Sequence, residues 1–274
     1  MPAILSRLPP ARRRSLALET ISTLCTDDSP AVRSGVLEAL GEVLYTFHQD
    51  KDGPPEPLLQ LFLGDRRLGG EQQASSLGST SKEETPLESF FNDPERPLIC
   101  AFNYPAVALT LGSARWPELR DVYREIAANR TLEVQRTVAA SLGVLAEVIG
   151  KEHANLDLVG VWWNVIRNDN KEVREKALES VDLLVSVLGA ETGDSIVQGL
   201  VSMWDEGILN SWKERESVAK ALMSLVKLTT ICAHKFTAGL LKRALEDGVA
   251  AVREAAVSAV SFELLFHKEV YHQA

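Results

Sequence analysis

A chain of 274 residues with 45% apolar side chains can bury a large core, and its net charge of −9 excludes a general nucleic-acid binder, which carries a basic stripe or a high pI. Cys25, Cys100 and Cys232 are scattered and form no CxxC, so neither a disulfide framework nor a zinc site is indicated and a reducing compartment, cytoplasmic or nuclear, is expected. No run reaches the roughly 18 to 20 apolar residues that cross a bilayer, so no membrane role is expected.

In chain order, residues 1–18 hold Arg7, Arg12, Arg13 and Arg14 without an acid and read as a capping first element with solvated arginines. Helices are predicted over Arg12–Thr26 and Ala31–His48, with Ser29 as cap and Pro30 in the first turn. A short apolar helix follows over Pro57–Leu63. Residues 64–97 are rich in Gly, Ser, Glu and Pro and read as a disordered insertion within a second repeat. Ser75, Ser76, Ser79, Thr80, Ser81 and Thr85 in that stretch are candidate phosphate acceptors. Leu98–Leu111 resumes as a helix containing Pro105.

Beyond it the pairs are regular: Trp116–Ala128 with Thr131–Ile149, Asn155–Asn168 with Lys171–Leu188, Asp194–Trp204 with Trp212–Leu228, and Thr230–Glu246 with a last helix from Ala250. Val134, Val138, Leu142, Leu145 and Ile149 recur at steps of three or four, the spacing of one helix face, and Gly150 ends that helix. The same apolar slots with a nearby arginine recur at Val32, Val173 and Val252, and at Glu214, where a charge occupies the first slot. The starts 134, 173, 214 and 252 differ by 39, 41 and 38, and a helical period near 40 is the signature of HEAT or armadillo arrays. The expected fold is therefore all-α: a single HEAT/armadillo-type α-solenoid of about six helical hairpins over residues 1–274. From Val32 to Val134 the interval is 102, which exceeds two periods of 39 by 24 and locates the insertion in the second repeat.

The segments FNYPAVALTLG (Phe102–Gly112), RWPELRDVYREIAANRTLEVQRTVAASLG (Arg115–Gly143), LVGVWWNVIRN, MWDEGILNSW (Met203–Trp212) and ALEDGVAAVREAAVSAV, in that order, resemble the family of regulatory subunit 1 of protein phosphatase 4. That family is a HEAT-repeat relative of the scaffold subunit of protein phosphatase 2A. The resemblance runs from about Phe102 to Val260. Members are much longer, so the chain reads as a truncated member whose six hairpins are a portion of such a solenoid.

Catalytic signatures are absent: there is no GxxxxGK[ST], GxSxG, HExxH or GxGxxG, and no catalytic residue, cofactor or metal is expected. Cys232 and His234 lie two apart on a helix and face different ways, so they do not pair as nucleophile and base. In the resembled scaffolds the turns inside each repeat hold the catalytic subunit. This implies a partner-binding ridge of Trp116, Asn129, Arg130, Asn168, Lys171, Trp212, Lys213 and Asp247, with Trp212 foremost because tryptophan is enriched in binding hot spots. Arg33, Arg174, Arg215 and Arg253 recur one step inside the second helices and, with Asp28, are expected to form a structural ladder to neighbouring turns. Of the adjacent Trp162 and Trp163, one is expected in the core and the other in a groove. Gly143 and Gly248 are expected to permit close helix approach or turn geometry.

The expectation for function is a non-catalytic scaffold that binds the catalytic subunit of a serine/threonine phosphatase of the protein phosphatase 4 type and presents substrates or a further regulatory protein. The same architecture also suits a transport or assembly adaptor of karyopherin or chaperone type.

Overall fold

The computed structural model describes residues 2–64 and 85–259. Among these every regular element is helical and no strand occurs, so the expected all-α class is borne out. The chain divides into two compact units, Met1–Thr137 and Val138–Ala274.

The first unit contains α1 (Pro2–Leu5), α2 (Pro10–Leu24), α3 (Pro30–Tyr45), α4 (Glu56–Leu63), α5 (Pro86–Phe91), α6 (Arg96–Leu111) and α7 (Trp116–Ala127). Proline stands in the first turn of each helix from α2 to α7, where its missing N–H would have no partner and its φ is already helical. α2 packs on α3 as a hairpin, and α3 packs along α6. Gly41 makes that second contact possible: a Cβ there would stand 2.3 Å from the side chain of Asn103. Tyr104, Trp116 and Tyr123 fill the space between α6 and α7, with Trp116 edge-on to Tyr104 at 6.3 Å and to Tyr123 at 5.6 Å. Tyr104 donates its hydroxyl proton to the Leu119 carbonyl, so its own polar end is satisfied, whereas the buried Tyr123 hydroxyl has no hydrogen-bond partner among the described residues.

Helix α8 (Leu132–His153) begins in the first unit and continues into the second, with Gly150 non-helical within it at φ 79°, ψ 169°. The helix proper therefore ends at Gly150, as expected from the sequence. Beyond a π-helical turn at Ala154–Leu158 come α9 (Val159–Ile166), α10 (Lys171–Glu179), α11 (Val181–Leu188), α12 (Ala190–Asp205), α13 (Trp212–Leu228), α14 (His234–Leu245) and α15 (residues 250–259). In this unit α10 and α11 pack on α13, and α12 on α14. Second helices thus lie on second helices and first on first. Trp162, Leu184, Leu200, Val218 and Leu240 are fully buried between them.

Three expectations change. The stretch 64–97 is not one loop: residues 65–84 and five of the six candidate phosphate acceptors lie outside the described residues, but 85–97 carries α5 and the start of α6. A reciprocal cap orders that entry, because Thr85 Oγ1 accepts from Glu88 N–H while Glu88 accepts from Thr85 N–H. The single helix predicted over Lys171–Leu188 breaks at Ser180 (φ −123°, ψ 17°), whose carbonyl and Cβ are pressed against Gly143. Gly143 thus has the expected close-approach role. Gly248 does not, since nothing lies within 4 Å of its would-be Cβ and its φ is not positive.

Candidate functional site

Each recurring arginine closes its own turn. Arg33 Nη1 donates to the carbonyls of Asp27 (2.7 Å) and Asp28 (3.0 Å), Arg174 Nη1 to those of Asn168 (2.7 Å) and Asp169 (3.0 Å), and Arg215 Nη1 to those of Leu209 (3.0 Å) and Asn210 (3.1 Å). Arg253 Nη1 repeats the motif on the Asp247 carbonyl at 2.6 Å. These carbonyls follow the ends of α2, α9, α12 and α14, where helix geometry leaves acceptors without partners.

For Arg33, Arg174 and Arg215 the rest of the guanidinium reaches the next hairpin. In the second unit Arg174 Nε donates to Glu214 Oε1 at 2.5 Å and Nη2 to Asn210 Oδ1 at 3.3 Å. The Glu214 side chain is 0% exposed, and its other oxygen accepts from Ser211 N–H at 2.7 Å, so both oxygens are satisfied. The charge that interrupts the apolar pattern at Glu214 is therefore one half of a buried ion pair. One hairpin on, Arg215 Nε donates to Asp247 Oδ2 at 2.6 Å, and Asp247 Oδ1 accepts from Val249 N–H at 2.8 Å. Burial alone would push the Asp247 carboxyl up; the Arg215 and Val249 hydrogen bonds and the nearby Arg253 outweigh it and hold the group below the usual carboxylate range. The turns 168–171, 205–211 and 246–249 are thereby pinned in a row. In the first unit Arg33 Nη2 donates to Ser89 Oγ at 3.0 Å, and Ser34 Oγ to Asp93 Oδ2 at 2.8 Å.

The expected ladder to a neighbouring hairpin is present for Arg33, Arg174 and Arg215. Two corrections follow: among the described residues Arg253 hydrogen-bonds only within its own turn, and Asp28 contributes only its backbone carbonyl, its side chain being exposed. The carboxylate that shapes this turn is Asp27, which accepts from Ser29 N–H at 2.8 Å. Arg13 and Arg14 are also not simply solvated, because Arg13 pairs with Asp50 and Arg14 donates to the Gly53 carbonyl at 2.6 Å.

The residues read as a partner-binding ridge separate into four groups. Trp116 is 0% exposed, held by the Tyr104–Tyr123 cluster at the start of α7, and cannot meet a partner. Asp247 is engaged by Arg215 and belongs to the ladder. Asn129 and Asn168 direct their side-chain oxygens into their own turns, accepting from Thr131 N–H (2.8 Å) and Asn170 N–H (2.9 Å). Arg130, Lys171, Trp212 and Lys213 are the exposed set. Trp212 is 42% exposed, with the Lys213 ammonium 6.0 Å from its ring centre. Ser211 and Glu214 hold this pair at the start of α13 by a reciprocal cap, and Ser211 Oγ also donates to Glu175 Oε1 at 2.8 Å.

Trp162 is buried as expected of one of the tryptophan pair. Trp163 does not line an open groove: its ring occupies the space where Gly199 lacks a Cβ, and Arg167 lies 4.8 Å from its centre.

Asn129 also lines a cleft of about 410 Å³ in the first unit, walled by Phe62, Phe91 and Ile126 with Arg96 and Glu125 at its polar edge. Arg96 is committed to the Leu61 and Phe62 carbonyls and lies 5.4 Å from the ring centres of Phe90 and Phe91. Among the described residues no group of three or more His, Cys, Asp or Glu side chains could hold a metal ion. Cys25, Cys100 and Cys232 are unbridged. In the second unit the turns expose one aromatic face, Trp212, and two cations, Lys171 and Lys213.

Glu214, Asn210 and three glycines were not singled out as site residues in the sequence. Gly112, Gly150 and Gly189 end α6, α8 and α11 with nearly the same backbone, φ 75°, 79° and 94° with ψ 168°, 169° and 166°. Their intervals of 38 and 39 are a second copy of the repeat period.

Residues 100–203 match the family of the protein phosphatase 4 regulatory subunit 1 middle domain. The serine/threonine-protein phosphatase 4 regulatory subunit 1 of Homo sapiens is 30% identical over 209 residues, covering 74% of this chain and 21% of the human protein. The Mus musculus protein of the same name is 30% identical over 129 residues, 47% of this chain and 14% of its own length. The chain thus spans about a fifth of the human relative. The resemblance read from the sequence is borne out, and the family match over residues 100–203 contains Arg130 and Lys171 but stops short of Trp212.

Proposed function

We propose, from this kinship to phosphatase regulatory subunits, that the chain is a non-catalytic scaffold which binds the catalytic subunit of a serine/threonine phosphatase of the protein phosphatase 4 type through its turn tips and presents substrate to it. The observation that carries the reading is the exposed Trp212–Lys213 pair, set on a turn fixed from behind by Glu214, Arg174 and Arg215. An aromatic anchor with a neighbouring cation on a rigid turn loses little conformational entropy on binding. Holding catalytic subunit and substrate on one body raises the effective concentration of substrate at the active site. A cytoplasmic or nuclear location accompanies this reading.

Titration calorimetry of the full chain with a purified catalytic subunit of this type tests it. Binding is expected, and Trp212→Ala with Lys213→Glu should weaken it about tenfold or more. The chain alone should leave p-nitrophenyl phosphate intact. No binding, or a double variant that binds like the native chain, would remove the proposal.

A further inference from the structure

The first unit presents a second surface, away from the turns. Contacts between α3 and α6 advance together along both helices: Arg33 meets Ser89 just ahead of α6, Ser34 meets Asp93, and Gly41 faces Asn103. The two helices therefore run parallel, side by side. Taking 100° per residue from the Gly41–Asn103 contact, the exposed residues of α3 and of α6 fall on the same side of the pair, opposite the core. Along the C-terminal half of α3 these are Glu38, Glu42 and Tyr45; on α6 they are Phe102, 75% exposed, and Leu109, 50% exposed.

Phe102 and Leu109 stand seven residues apart, about two helical turns, which is the spacing of the anchors of a docked amphipathic helix. Glu38 and Glu42 stand one turn apart beside them, and neither carboxylate has a hydrogen bond or ion pair among the described residues. At the C-terminal end of α3 this face opens into a cleft of about 690 Å³ whose lining includes Glu42, Tyr45, His48 and the Arg13–Asp50 ion pair, and where Tyr45 and His48 stack at 4.5 Å. An exposed aromatic beside unpaired carboxylates is a recognition surface for a chain that is apolar on one side and basic on the other.

We infer that the paired faces of α3 and α6 form a docking surface for a basic amphipathic helix of a partner protein. Its apolar stripe would cover Phe102 and Leu109, and its lysines or arginines would reach Glu38 and Glu42, with one entering the cleft over the Tyr45 ring. This surface shares no residue with the turn tips, so it stands independently of the proposed phosphatase reading.

The test uses the full chain and fluorescence anisotropy with a labelled helical peptide of about 18 residues made of leucine and lysine, beside the same peptide with glutamate for lysine. The lysine peptide is expected to bind and the glutamate peptide is not. Phe102→Glu with Leu109→Glu should weaken binding about tenfold or more, as should Glu38→Lys with Glu42→Lys. Glu172→Lys with Glu179→Lys makes the same change in net charge in the second unit and should leave the Kd within about threefold. All these positions are exposed, so circular dichroism should report native helix content in each variant. Equal losses in the two charge-reversed variants would overturn the inference by reducing it to bulk charge, and absence of native binding would overturn it outright. A native dimer in sedimentation that Phe102→Glu with Leu109→Glu turns into monomer would overturn it too, by assigning the face to a second copy of the chain.

Discussion

The two units build the same helical hairpins by different local chemistry. All 12 prolines lie in the first 117 residues, so the first unit starts its helices with a fixed φ, whereas α10 and α13 of the second start on the side chains of Asn170 and Ser211. Links between successive hairpins differ as well. In the second unit Asn155–Thr192, Glu175–Ser211, Asp194–Thr230 and Asp205–Arg243 span 36 to 38 residues, one repeat each. In the first, Arg33–Ser89, Ser34–Asp93 and Glu56–Arg115 span 56 to 59, and the 20 positions 65–84 account for the excess. Lastly, the recurring arginine meets a buried carboxylate, Glu214, in the second unit and a serine hydroxyl, Ser89, in the first, although the first has a largely buried ion pair of its own at Arg13–Asp50. A repeat can therefore keep its geometry while the groups that enforce it change.

The charged lock should give the largest effect. Glu214→Leu leaves the Arg174 guanidinium buried without its carboxylate and should cost about 3–5 kcal/mol in urea unfolding, while Arg174→Leu with Glu214→Leu should recover most of that. Ser89→Ala removes one neutral partner from Arg33 and should cost only about 1 kcal/mol. Equal costs for Glu214→Leu and Ser89→Ala would erase the distinction between the units.

The glycine turn is shared, so it should respond alike in both. Valine at Gly112 in the first unit, or at Gly150 in the second, forces a β-branched residue into a backbone that essentially only glycine adopts, for a loss of about 1–3 kcal/mol each in thermal unfolding. The caps separate the units again: Asn170→Ala should cost about 1 kcal/mol, and Pro30→Ala less, since it acts mainly by freeing the unfolded chain.

Acid distinguishes the units by a further route. Asp247 has a depressed carboxyl, so its contribution is present above the unfolded value, near 4, and is lost as pH falls through the lower folded value. Hydrogen exchange between about pH 5 and 3 should show α13 and α14 losing protection before α3 and α6, and Arg215→Leu should flatten that pH dependence. The smallest effect is expected from replacing residues 65–84 by a Gly-Ser linker of about six residues, which should shift stability by no more than about 1 kcal/mol.

Much of this was legible in the sequence, and unevenly so. The period and the boundaries of α13, Trp212–Leu228, were readable because apolar spacing and the arginine recur together. The ladder was readable from arginine position alone, since a basic residue at the entrance of a buried face has few other acceptors. Trp116 was misread because a tryptophan at a helix start is as good a hot-spot candidate in sequence as Trp212; only the tyrosines of α6 and α7, brought together in space, show that it is core. Glu214 looked like a defect in the pattern because its partner lies 40 residues away. The helix at α5 was hidden by its composition, although Thr85 and Glu88 carried the signature of a cap.

The locked turns of the second unit are the proposed surface for gripping a phosphatase catalytic subunit. A double-mutant cycle on that affinity, with Trp212→Ala at the tip and Arg215→Leu behind the turn, tests it most directly. Each single variant should weaken binding while keeping native helix content, and the pair should fall short of the sum of the two losses by about 1 kcal/mol or more. Losses that add to within about 0.5 kcal/mol, or a Trp212→Ala chain that binds as the native one does, would contradict the account.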